Sequence, residues 1–150
     1  MRNLKILNTR EIKDILEKVK KQWGAELDLD YAFLLSPKNK IYLVNKEISK
    51  IDWSRLRLNN LGLYFGTLTH GKLRLSIEGS QMIGPEAKKN VVELNKDQAR
   101  QWFNGERIFM DANSEGFVIL RFGQDFLGCG KYSDNKILNY VPKARRIDLI

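Results

Sequence analysis

The chain has one cysteine, Cys129, one histidine, His70, and three prolines among its 150 residues. A single cysteine excludes an internal disulfide, and its isolation argues against a thiolate zinc site. A reducing, cytoplasmic setting is the natural expectation. His70 stands beside Gly71 in an expected turn, with no nearby Asp, Cys or second His to make it a ligand or a base. No run approaches the ~20 apolar residues needed to cross a bilayer. The opening Met1-Arg2-Asn3-Leu4-Lys5-Ile6-Leu7-Asn8 is too broken for a secretory segment, so no membrane partner is expected. Gly128-Cys129-Gly130-Lys131 lacks the third glycine of a dinucleotide fingerprint and the Ser or Thr of a phosphate loop. Carboxylates are scattered singly, without acid/base pairing. No catalytic group, metal or cofactor is expected. Cys129 reads as a small buried thiol, because a nucleophilic thiolate needs a cationic or helix-terminal setting.

Positive charge is plentiful. The net charge is +8 at 43% hydrophobic composition, and the sequence pI is near 9.6. Such a chain can build a core and is attracted to polyanions. The excess is spread over both halves rather than gathered in a basic tail.

The first element is a helix from Asn8 or Thr9 to a glycine cap at Gly24, with Glu11 completing a capping box. Ile12, Ile15, Leu16, Val19 and Trp23 share its inner face, and Lys13, Lys18, Lys20 and Lys21 its solvated one. Two strands, Tyr31 to Leu35 and Ile41 to Val44, flank a turn at Ser36-Pro37-Lys38-Asn39-Lys40. Asn45 caps a short helix through Ile48 and Ile51; Trp53, Leu56 and Leu58 extend the core; and Leu61 to Leu68 forms a strand. A domain boundary is placed at Thr69-His70-Gly71.

Beyond it, Leu73 to Ile77 reads as a strand, and Gly79 and Gly84-Pro85 punctuate a loop into Lys88-Lys89. A short strand from Asn90 to Leu94 precedes a helix capped by Asn95, with Ala99, Trp102 and Phe103 inward and Asn104-Gly105 at its end. Strands follow at Arg107 to Met110 and at Gly116 to Phe122. A hairpin then pairs Phe126 to Tyr132 with Ile137 to Val141 across Ser133-Asp134-Asn135-Lys136. Short strands at close spacing suggest a small, partly closed barrel.

Within that hairpin, Gly128 and Gly130 fall on one strand face, and a glycine in a strand often marks close approach to the backbone. Lys143, Arg145 and Arg146 follow at once. A stripped strand face beside a cationic end suits a nucleotide and its phosphates. Tyr140 and Phe126 are candidates to stack a base, and equally candidates for barrel core.

Leu127-Gly128-Cys129-Gly130-Lys131, ending in Val141-Pro142-Lys143-Ala144-Arg145-Arg146, resembles the C-terminal signature of a PUA domain. The stretch from Leu73 through Gly79-Ser80-Gln81-Met82-Ile83-Gly84-Pro85 resembles that domain's first strand and the loop into its first helix. Residues 1–70 resemble, more loosely, the pre-PUA domain of archaeal RNA-binding proteins and large-subunit ribosome-biogenesis factors. The resemblance implies an α+β protein: a small mixed N-terminal domain (1–70) and a PUA-like barrel (71–150). It further implies binding of rRNA or tRNA in RNA maturation or ribosome biogenesis without catalysis, alongside ribosome-assembly or RNA-modification proteins. Carried over residue by residue, one side of the RNA groove is Ser80, Gln81, Met82, Gly84, Lys88 and Lys89. The other is Gly128, Gly130, Lys131, Lys143, Arg145 and Arg146, joined by Tyr140 as a stacking candidate. The competing reading is a protein-interaction scaffold for an RNA-modification or pre-ribosomal complex.

Overall fold

A computed structural model describes residues 4–47 and 62–146. The short helix expected after Asn45 and the core positions Trp53, Leu56 and Leu58 lie outside the described residues. Helix α1 spans Thr9–Trp23, and its capping box is complete: the Asn8 side chain accepts from the Glu11 N–H, and Glu11 accepts from the Asn8 N–H. Gly24 ends it at φ 67°. That left-handed conformation costs a residue with a Cβ but not glycine.

The first sheet is an antiparallel meander, β1 (Lys5–Ile6), β2 (Ala32–Leu35), β3 (Lys40–Val44), β4 (Leu63–Thr69) and β5 (Lys72–Leu75), in that order. Strand β1 escapes sequence reading because two residues are too few to show alternation. His70 and Gly71 make the tight turn between β4 and β5, so strand pairing runs straight through the expected boundary. The chain leaves this sheet only after residue 75.

Where a loop was expected after Gly79, helix α2 covers Ile77–Ile83 and runs into a 3-10 turn at Gly84–Glu86. Ser76 caps it by accepting from the Gly79 N–H. Gly79 is tolerated inside the helix because the Phe65 carbonyl presses against it where a Cβ would stand.

The second sheet has the order β6 (Val91–Glu93), β8 (Gly116–Phe122), β9 (Asp125–Ser133), β10 (Lys136–Leu138), β7 (Ile108–Phe109), with β6 parallel to β8. Helix α3 (Lys96–Phe103) follows β6 under a second capping box, between Asn95 and Gln98. This is the α+β architecture expected, with the second sheet supplying the half-barrel.

Strand β8 is buried on both faces, which explains its unbroken Phe117-Val118-Ile119-Leu120 run. Phe117, Ile119 and Cys129 join the core formed by α1 and the first sheet, with Trp23, Phe33 and Phe65. Val118 and Leu120 join Trp102 of α3 on the other side. The first core thus runs from one sheet into the next, and a second one lies on the other face of β8 under α3. Polar stitching adds to it: the Gln22 side chain bonds both the N–H and the carbonyl of Leu73 at 2.8 Å. The Lys88 and Lys89 N–H groups both donate to the Trp23 carbonyl.

Candidate nucleic-acid interface

A cleft of about 220 Å³ opens between the two sheets. Lys40, Tyr64 and Arg74 come from the first sheet, Gly128 from the second, Trp102 from α3, and Tyr140 and Arg145 from the terminal segment. Asn139 fixes that segment. Its amide donates to the Trp102 and Glu106 carbonyls at 2.8 and 2.9 Å, while its oxygen accepts from the Val141 N–H at 2.8 Å. Tyr140 is thereby held out from the end of α3.

A row of alternating character results. The Arg74 guanidinium lies 4.3 Å from the Tyr140 ring centroid. Tyr140 stands 6.4 Å from Phe117, and the Lys131 ammonium lies 6.0 Å over the Phe117 ring, reached from the opposite strand position. On the facing wall, the Lys40 ammonium is 5.6 Å from the Tyr64 ring. Cations held against aromatic faces are mutually stabilising, and they leave a surface that offers both charge and stacking area.

The expected groove residues separate into three groups. Gly128, Lys131, Tyr140 and Arg145 lie in the cleft or along its aromatic row, and Arg145 ion-pairs with Glu78. Exposed Lys143 shares the 3-10 turn with Arg145. Arg146 folds back, its Nε donating to the Val141 carbonyl at 3.1 Å and its side chain covering Gly105.

Lys88 and Lys89 form the second group, at the C-terminal end of α1. The Lys88 Cβ would sit 3.2 Å from a Cβ on Gly24. They are exposed but do not line the cleft.

The third group is used for packing. Ser80 is fully buried and its hydroxyl donates to the Ser76 carbonyl at 2.8 Å. Met82 packs against the main core, while the Phe126 ring lies against Gly84, so Phe126 belongs to the core rather than to a base. Gln81 stays on the solvent side of α2. Gly130 corrects the expectation of a bare strand face. A Cβ there would stand 2.7 Å from the Leu138 carbonyl and 3.0 Å from the Trp102 ring, so the space is already filled.

Arg74, Lys40, Tyr64 and Glu78 were not singled out from sequence. Arg74 carried one faint signal, as the outward-facing residue between buried Leu73 and Leu75.

Cys129 is buried, and burial pushes its thiol up to about 12, far from thiolate chemistry. Among the described residues, no group of three His, Cys, Asp or Glu side chains could hold a metal ion, and no helix is long and apolar enough to cross a membrane.

Residues 89–147 match the family model described as the methyltransferase RsmF PUA domain. The chain is 26% identical over 131 residues to a ribosomal RNA small subunit methyltransferase F of Vibrio cholerae, covering 87% of the chain and 27% of that protein. The protein of the same name from Aeromonas hydrophila is 25% identical over 138 residues, covering 91% of the chain and 28% of its own length. The one from Vibrio vulnificus is 28% identical over 88 residues. The chain therefore spans about a quarter of the length of the curated relatives it matches over most of its residues. These relatives are bacterial and named for the small subunit, whereas the looser resemblance of residues 1–70 was to archaeal and large-subunit proteins. The match begins at residue 89, after α2, so the Leu73-to-Pro85 stretch falls outside it. Residues 89–147, the sheet of β6 to β10 with α3, are the part of the chain that is similar to that PUA domain.

Proposed function

We propose that this chain is a cytoplasmic RNA-binding protein that grips rRNA for a maturation or methylation reaction and does no chemistry itself. The observation that carries the reading is the row Arg74, Tyr140, Phe117, Lys131 bordering the inter-sheet cleft. Unpaired RNA is held by cations along its backbone and by flat side chains under its bases, and this row offers the cations Arg74 and Lys131 beside the exposed Tyr140 ring, with Phe117 buried in the core. The names of the relatives support rRNA as the target and favour a setting alongside methylation. Within the chain, Gly128, Lys131, Tyr140, Lys143 and Arg145 contact RNA, together with Arg74 and Lys40.

The test is fluorescence anisotropy with labelled single-stranded fragments of small-subunit rRNA, over a series of salt concentrations. Binding should weaken steeply with salt. Arg74→Ala should lower affinity and shrink the log–log slope by about 0.7 if it contacts one phosphate. A slope near zero would instead favour the scaffold reading, for which exposed Ile6, Tyr31 and Phe109 offer apolar contact points.

A further inference from the structure

We infer that the inter-sheet cleft admits one unpaired guanine and reads it with the Glu78 carboxylate. This rests on the RNA-binding proposal above and narrows it from a surface to a single base. The cleft measures about 220 Å³, below the ~300–1,000 Å³ typical of pockets for drug-sized ligands, and so suits one base rather than two stacked ones. The Arg74–Tyr140 stack offers a flat platform, and the backbone at Gly128 leaves room beside it.

Among the described residues that line the cleft Glu78 is the one carboxylate, set among the cations Lys40, Arg74 and Arg145. A carboxylate repels phosphate, so in a site for a polyanion its use is to discriminate among donors. An ionised carboxylate presents two acceptor oxygens side by side. Guanine alone among the four bases carries two adjacent donors, N1–H and the N2 amine, on its pairing edge. Uracil has one N–H between two carbonyls. Adenine and cytosine set an amine beside a bare ring nitrogen, whose lone pair would face the carboxylate. Guanine also carries a carbonyl, O6, next to N1–H. That is an acceptor of the kind the buried Trp102 Nε1–H in the cleft wall lacks among the described residues.

In the free protein Glu78 is paired with Arg145, and their side chains are 36% and 48% exposed. A pair this exposed is weak and opens readily. Base binding exchanges partners: the guanine edge replaces the guanidinium at Glu78, and a flanking phosphate replaces the carboxylate at Arg145. Each group keeps hydrogen-bonding partners, and the Lys40 and Arg74 cations that also line the cleft offset the charge of the carboxylate.

The experiment compares a fluorescein-labelled oligouridylate bearing one central guanosine with strands carrying inosine, adenosine or uridine at that position, using the full chain. The guanosine strand should bind about 10-fold more tightly than the adenosine or uridine strand, the order expected of one good bidentate contact. Inosine, which lacks the N2 amine, should fall between. Glu78→Gln should bring the ratio to about one while affinity for the all-uridine strand holds or rises. Glu78→Asp, which keeps the charge but retracts it, should lose most of the preference and serves as the second variant. Arg145→Ala should weaken all four strands alike. Equal affinities in the unsubstituted chain, or a guanine preference that survives Glu78→Gln, would overturn the inference and leave general RNA binding standing. Failure to bind any of the four strands in a salt-dependent way would overturn both.

Discussion

The two ends of the glycine pair on β9 show how differently neighbouring backbone can be used. At Gly130 the constraint is space: Ile137, the Leu138 carbonyl and the Trp102 ring close in from three sides. At Gly128 there is room, since a Cβ would meet Trp102 and Ile77 at ordinary distances of 3.5 to 3.6 Å, but the backbone sits at φ 151°, where side chains are strained. One glycine lets the sheet pack under α3. The other lets the strand bend at the cleft wall, next to the register shift between Leu120 and Arg121. Identical residues two apart in sequence thus mark a sealed interior and the wall of the cleft.

The largest effect that could break this comparison is that of Gly130→Val. Overpacking against backbone should cost about 3 kcal/mol or more, read as a large loss in urea midpoint. RNA binding would then be lost together with the fold, not through a blocked groove. Gly128→Ala should cost roughly 1–3 kcal/mol through backbone strain alone. If the two substitutions cost the same and Gly130→Val leaves a well-folded protein, the assignment of space to one and dihedral to the other is wrong.

Tyr140→Ala sharpens the contrast from the other side. Its ring is 37% exposed, so melting should shift little, while loss of a stacked base should cost about 1–3 kcal/mol of RNA affinity. The reverse pattern, destabilised protein with unchanged affinity, would make Tyr140 a core residue.

How much of this could be read in the chain follows from the range of the forces involved. Helix α1 was legible because its capping box and three-to-four-residue apolar spacing are local. The β9–β10 hairpin was legible from its turn residues, and Asp134 and Asn135 do take positive φ. Helix α2 was not, since Gly79 and Gly84-Pro85 carry the signature of a loop. What permits a helix there is contact with Phe65 and Phe126, distant in sequence. The same holds for the cleft. Tyr140 and Arg145 could be suspected from the terminal segment, but their partners Arg74 and Glu78 lie far back in the chain, brought near by a core that runs through both sheets. Gly130 was misread for a related reason: sequence shows an absent side chain but not which neighbour fills the gap.

The smallest expected effect concerns the far edge of the second sheet. Arg121 and the Gly123 N–H both bond Glu93, and the Arg121 hydrogen bond holds its carboxyl below the usual carboxylate range. A carboxyl lowered on folding adds stability that is fully present above its unfolded value of about 4.3 and is lost as pH falls through the folded one. Both side chains are about half exposed, so the contribution should stay under about 1 kcal/mol. Glu93→Gln should flatten the acid limb of the melting curve slightly and leave RNA affinity alone. A change in affinity would mean that the binding surface extends well beyond the cleft.

The central claim, that RNA enters between the two sheets, is most directly tested by photocrosslinking the chain to RNA containing 4-thiouridine and mapping the attached peptides by mass spectrometry. Crosslinks are expected at Tyr140 and along the peptides bearing Arg74, Trp102 and Lys131. Crosslinks confined to the Lys88–Lys89 end of α1, with none on the cleft peptides, would contradict it.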